Sequence, residues 1–144
     1  MIIATASDHG GFQLKEAVKE HLKSRENVEV LDLGTFSEES VDYPQYGEAC
    51  ARAVAEGKAD LGIVCCGTGI GISIAANKVK GVRCALAVTP FMAEMAKRHN
   101  DANVLALGGR VLEEEEALRL VDIWLDTDFE GGRHQRRVDR LNDL

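Results

Sequence analysis

The sequence predicts an α/β fold in which five parallel strands form one sheet with helices on both faces. Two observations carry this. Short apolar runs rich in β-branched residues alternate with longer segments of helical period, five times along the chain. Each strand is followed by a helix, the connection that joins neighbouring parallel strands. The length of 144 residues suits one domain spanning 1–144, with about two thirds of the unfolded chain's surface hidden on folding.

The elements read in order as follows. Residues 1–7 (MIIATAS) form a buried strand. Residues 12–24 form a helix with Leu14, Ala17, Val18 and Leu22 on one face. Residues 28–33 (VEVLDL) are the second strand, stopped at Gly34, and 46–56 the next helix, with Pro44 near its start. Residues 61–65 (LGIVC) are the third strand and 71–77 a short helix. Residues 84–88 are the fourth strand. The helix over 90–99 opens with Thr89 as N-cap and Pro90 at the first helical position. Residues 104–107 are the fifth strand. The helix over 112–125 carries Glu113, Glu114, Glu115 and Glu116 in its first turn, where the helix dipole favours negative charge. Residues 134–144 make a tail helix.

Composition excludes several classes. Hydrophobic residues at 45% and charged residues at 28% describe an ordinary globular chain, not a disordered one. No apolar run approaches the roughly 20 residues of a membrane span. The start, MIIATASDHGG, lacks the charged and apolar regions of a secretion signal, so the expected compartment is the cytoplasm. Seventeen basic against 24 acidic residues give a net charge of −7, which argues against general nucleic-acid binding. The exception is GGRHQRRVDR, where Arg133, Arg136, Arg137 and Arg140 cluster with His134. That island suits one small anion, or it is a solvated helix face. The four cysteines, Cys50, Cys65, Cys66 and Cys84, read as reduced thiols. Cys65 and Cys66 alternate faces, and no CxxC or HExxH spacing occurs, so no metal is expected.

In a parallel sheet, ligands bind beyond the carboxyl ends of the strands, where strand order switches. Those positions hold Ser7-Asp8-His9-Gly10-Gly11, Gly34-Thr35 with the later Asp42-Tyr43-Pro44, Cys66-Gly67-Thr68-Gly69-Ile70-Gly71, and Gly108-Gly109-Arg110. His99-Asn100-Asp101, at the end of the fourth helix, is expected on the same rim. The Cys66–Gly71 segment is the densest signal. Alternate glycines at 67, 69 and 71 let backbone N–H groups turn toward a ligand, and a helix starts there. The loop is neither a Walker loop nor a dinucleotide fingerprint. The helix dipole favours the thiolate of Cys66, which suits attack on a carbonyl or proton removal beside one. The competing reading is a small buried cysteine in a tight turn. His9 and His99 read as acid/base groups, anion ligands or local caps. Asp8 is a helix cap or a hydroxyl acceptor, Tyr43 a substrate contact or a packing residue, and His21 a surface residue.

Taken together, SDHGG, ESVDYP, CGTGIGISIAANK, HNDANVLALGGR and GGRHQRRV, in this order, resemble the ribose/galactose isomerase family over almost the whole chain. The resemblance implies a Rossmann-like three-layer α/β/α sandwich and a cofactor-free, metal-free aldose–ketose isomerase. Members of the type it is similar to interconvert ribose 5-phosphate and ribulose 5-phosphate. It implies Cys66 as the base moving a proton between C2 and C1, with Thr68 and the amides of Gly67, Gly69 and Gly71 stabilising the enediolate. It implies His99 as the residue assisting ring opening, and Asp8, His9, Tyr43 and Asn100 as sugar contacts. Phosphate falls to His9, Arg110, Arg133 and Arg137. One branch of the family carries a glutamate base where this chain has Ile72, so the resemblance is to the cysteine-base branch. The family's sites are shared across a homodimer, with His99, Asn100 and Arg110 given by the partner; pairing of dimers into tetramers stays open. Two other readings remain at this point: an isomerase of allose or galactose 6-phosphate, and a non-catalytic phosphate- or nucleotide-binding module.

Overall fold

A computed structural model describes residues 1–144. Five strands, β1 (Ile2–Ser7), β2 (Glu29–Asp32), β3 (Leu61–Cys66), β4 (Cys84–Leu86) and β5 (Val104–Gly108), form one sheet in the order β2-β1-β3-β5-β4. All pairings are parallel, and the register brings Ser7 beside Cys65 and Cys66 beside Gly108. The α/β class and the five-strand parallel sheet are therefore as expected.

Side-chain alternation along the central strands splits the core in two. Ile3, Ile63, Cys65, Leu105 and Leu107 face one way and pack with α1 (Phe12–Lys23), α4 (Pro90–Arg98) and α5 (Glu114–Asp126) around Trp124. Ala4, Ala6, Val64, Cys66 and Ala106 face the other way and pack with α2 (Tyr43–Ala55) and α3 (Ile70–Asn77). The second layer is built largely from small residues, so its helices lie close. A Cβ on Gly47 of α2 would meet the Ile72 carbonyl of α3 at 2.9 Å. A last helix, α6 (Arg133–Asp143), buries only His134 and Val138.

Boundaries differ from expectation where caps decide them. α2 begins at Tyr43 rather than residue 46, because Pro44 fits the first turn of a helix. α5 begins at Glu114 rather than residue 112. The Glu113 side chain accepts from the third-position amide, and Glu116 Oε1 accepts from the Glu113 amide at 3.0 Å. A short 3₁₀ turn over His9–Gly11, which periodicity does not reveal, is capped by Asp8, whose Oδ1 accepts from the Gly11 amide at 3.1 Å.

The strand order sets the site. After β1 the chain moves outward to β2, and after β2 it crosses to β3 on the other side of β1. The loops leaving β1 and β3 therefore part at a switch point, and the loop leaving β5 borders it on the far side of β3.

Candidate active site

The loop after β3 carries the thiol. Cys66 ends β3 and is 5% exposed, and its Sγ accepts from the Gly69 amide at 3.1 Å. Gly69 holds φ +82°, and a Cβ there would sit 2.6 Å from Leu86 Cδ1 and 2.9 Å from the Leu107 carbonyl carbon, so only glycine fits. This left-handed residue turns the chain directly into α3. The amides of Gly67, Thr68, Gly71 and Ile72 find no acceptor within the chain. Thr68 is exposed, and its Oγ1 accepts from the Ile70 amide at 3.2 Å. A sulfur atom and a set of unengaged N–H donors thus lie at one helix start, the arrangement that stabilises an oxyanion.

The other thiols sit differently. Burial pushes the Cys50 thiol up to about 12 and drives those of Cys65 and Cys84 up as well, so they stay protonated and inert.

The loops after β1 and β5 complete this rim. The Asp8 amide donates to the Cys65 carbonyl, and the Gly109 and Arg110 amides donate to the Cys66 and Gly67 carbonyls, both at 2.8 Å. His9 Nδ1 accepts from the Val41 amide at 3.2 Å, which leaves Nε2 as the protonated donor of a neutral ring. The Arg110 guanidinium lies across Gly67 and Gly10, where a Cβ would meet it at 3.0 and 3.3 Å. His9, Gly10, Gln13, Glu38 and Arg110 line a cavity of about 320 Å³ beside the glycine loop. The Tyr43 ring lies on Gly71, where a Cβ would fall 2.6 Å from Cζ, so Tyr43 walls the helix start.

Two expectations need correction. His99 and Asn100 do not share this rim. They follow α4, which runs back against β4, so they lie at the amino ends of the strands, where Asn103 meets Arg83 and Gly62. The length of β5, five residues at about 3.3 Å each, separates that end from Cys66 by roughly 15 Å. Arg110, in contrast, was expected from a partner and instead reaches the glycine loop of its own chain.

The amino-end rim forms a second cluster. The His99 and His134 rings stack, with centroids 4.1 Å apart and planes 11° from parallel. Arg133 and Arg137 lie one helical turn apart on α6, exposed and without ion pairs. Burial first, then the neighbouring His99 ring and Arg133 charge, hold His134 below the ordinary histidine range. A cavity of about 650 Å³ between Lys78, Arg83, Asn100 and Leu141 also lies at this end, remote from the thiol.

Sequence reasoning missed three things here. His134 is a buried stacking partner and not just one more charge in the arginine island. Glu130 stands beside both rings, and nothing in its local sequence marks it. His21 is half-buried, its Nε2 2.8 Å from Asp122, in a network with Arg25 and Asp126.

The chain resembles known proteins along its full length. The profile of the Ribose/Galactose Isomerase family matches residues 3–141. Ribose-5-phosphate isomerase B of Escherichia coli is 51% identical over 139 residues, covering 96% of this chain and 93% of that one. The Clostridium thermocellum ribose-5-phosphate isomerase B structure superposes with a TM-score of 0.97 at 52% identity, covering 99% of this chain and 96% of that one. The Mycoplasma genitalium enzyme with bound ribulose-5-phosphate superposes with a TM-score of 0.93 at 44% identity, covering 99% and 94%. On sequence, sheet order and loop geometry together, this chain belongs to the ribose/galactose isomerase family.

Proposed function

We propose that this chain interconverts ribose 5-phosphate and ribulose 5-phosphate through a cis-enediolate, with Cys66 as the base. The observation that carries the reading is the Cys66 sulfur at the start of α3 beside four unengaged backbone amides. A proton next to an aldehyde is weakly acidic, so its removal needs donors already aimed at the forming oxyanion. Cys66, as thiolate, takes the C2 proton and returns it to C1, the O2 proton passes to O1, and the Gly67, Thr68 and α3 amides hold the oxyanion of the enediolate in between. Asp8, His9, Tyr43 and Asn100 contact the sugar hydroxyls. Arginine grips phosphate with two parallel donors and orients the sugar from a distance.

The reading includes a homodimer. One chain offers the thiol, the glycine loop, His9 and Arg110 at the carboxyl end of its sheet. It offers His99, Asn100, Arg133 and Arg137 at the amino end. A two-fold partner that sets its amino end against this carboxyl end completes two identical sites. His99 then assists ring opening, and Arg133 and Arg137 join Arg110 on the phosphate. The whole chain acts as one domain, since both core layers draw on elements from its first and last thirds. No helix is long and apolar enough to cross a membrane, and the proposed setting is the cytoplasm.

The test is ketose formation from ribose 5-phosphate with no metal or cofactor added, alongside allose and galactose 6-phosphates. The expected result is turnover of ribose 5-phosphate with the highest kcat/KM. Cys66→Ala is expected to lower kcat by about 10²-fold or more. Retention of near-normal kcat by that variant overturns the base assignment.

A further inference from the structure

No hydrogen bond within the chain orients the His99 ring. The ring is half-buried, and Glu130 Oε2 stands 3.8 Å from its Nε2, beyond bonding range. Its close contact is a face: the His134 ring lies 4.1 Å away, 11° from parallel. His134 is itself firmly held. It is 4% exposed in the first turn of α6, with Val138 buried one turn further on. Its amide donates to the Gly131 carbonyl, and the Glu130 amide donates to the carbonyl of Arg98, both at 3.0 Å. The entry to α6 is thus tied to the last residue of α4, next to His99. His134 Nε2 is buried with no hydrogen-bond partner. Buried polar atoms are normally satisfied, so this position uses the face of the imidazole and not its polar edge. Burial disfavours the His134 cation, so the residue meets His99 as a neutral ring. A neutral π face stays attractive to an imidazole that takes a proton, whereas a second imidazolium repels it.

We propose that His134 is a positioning residue for ring opening: its buried ring fixes the plane of the His99 ring, so that His99 meets the sugar at a set angle. In ring opening the bond between C1 and the ring oxygen breaks. The ring oxygen gains a proton, and the C1 hydroxyl loses one to leave the aldehyde. A side chain that moves those protons has to face that edge of the furanose before the bond breaks. His99 turns about two side-chain torsions, and the stack on His134 removes that freedom. The inference rests on the ring-opening role proposed for His99, and it assigns His134 no contact with the sugar.

Steady-state kinetics on ribose 5-phosphate with the full-length protein test this, with thermal melts to establish that each variant folds. His134→Leu keeps apolar bulk and removes the flat face. It is expected to lower kcat about tenfold or more while KM changes less than about threefold, because the arginines proposed to grip the phosphate are untouched. His134→Phe restores a flat ring without the unpaired nitrogen, and it is expected to recover kcat to within about threefold of the parent. The double variant His99→Asn with His134→Leu is expected to be no slower than His99→Asn alone, since His134 then has nothing to position. Parent-level kcat in folded His134→Leu overturns the proposal, as does a His134→Phe variant as slow as His134→Leu, or losses that multiply in the double variant. His134→Asn, which also lacks an aromatic ring, takes the place of His134→Leu if that variant does not fold, with the same expectations. Parent-level kcat in His99→Asn overturns the role of His99 and this inference with it. A slow His99→Asn beside a parent-level His134→Leu overturns this inference alone.

Discussion

At the residue scale, the sharpest energetic commitment outside the site is Lys15. Its side chain is 1% exposed, and its Nζ meets Asp32 at 2.7 Å and Glu16 at 3.1 Å, with the Phe12 and Phe36 rings 5.5 and 5.2 Å away. Asp32 also receives Lys19 at 2.7 Å and the Gly34 amide at 2.9 Å. Burial works to raise the Asp32 carboxyl, but hydrogen bonds from Lys15, Lys19 and the Gly34 amide outweigh it and hold the group below its ordinary value. A depressed carboxylate contributes stability above the unfolded-state value of about 3.9 and loses it as pH falls through the folded value. Asp32→Asn is therefore expected to cost about 3 kcal/mol at pH 7, because it leaves a buried ammonium underpaired. In denaturant titrations the gap from the parent is expected to shrink as pH falls below about 4, where the carboxylate takes a proton first in the unfolded parent and, at still lower pH, in the folded one. A gap that does not change with pH contradicts the ion pair.

At the element scale, each helix start decides where a functional group stands. Asp8 caps the 3₁₀ turn that carries His9, and Gly69 turns the chain from the thiol into α3. For α4, Thr89 Oγ1 accepts from the Met92 amide at 3.2 Å. Thr89→Ala is expected to lower stability by about 1 kcal/mol, read as a shift in the urea midpoint with the slope unchanged. At the far end of α4, the Trp124 indole of α5 donates to the Ala102 carbonyl at 3.2 Å, which fixes the segment after His99. The edge position of β4 explains its short span: it pairs on one side only, with β5, and ends at Leu86 rather than residue 88.

At the scale of the whole molecule, the sheet separates two half-sites, and the proposed dimer rejoins them. Mixing is the direct check. Cys66→Ala and His99→Asn are each expected to be nearly inactive alone. After subunit exchange, random pairing gives hybrids with one complete site, for about a quarter of the parent activity. No recovery after confirmed exchange argues that each chain works with its own residues only. Arg110 adds a contrast at this scale: it belongs to the thiol-bearing chain, so Arg110→Ala is a defect that Cys66→Ala cannot complement.

The sequence by itself determined the α/β class, the five strands and the loops at their carboxyl ends. Short apolar runs, period-3.6 apolar patterns and glycine spacing are local, and local rules read them. The positions of Cys66, Thr68, His9 and Asp8 were legible because each stands at the end of a strand or within two residues of it. Tertiary structure alone decided that β5 inserts between β3 and β4, since strand order depends on which faces bury together and not on any one segment. It alone carried His99 to the opposite end of the sheet, stacked His134 upon it and set Glu130 beside both. Glu130 and His134 lie only four positions apart, but their contacts with His99 join residues more than 30 positions apart where α6 meets the end of α4, and no local pattern encodes those.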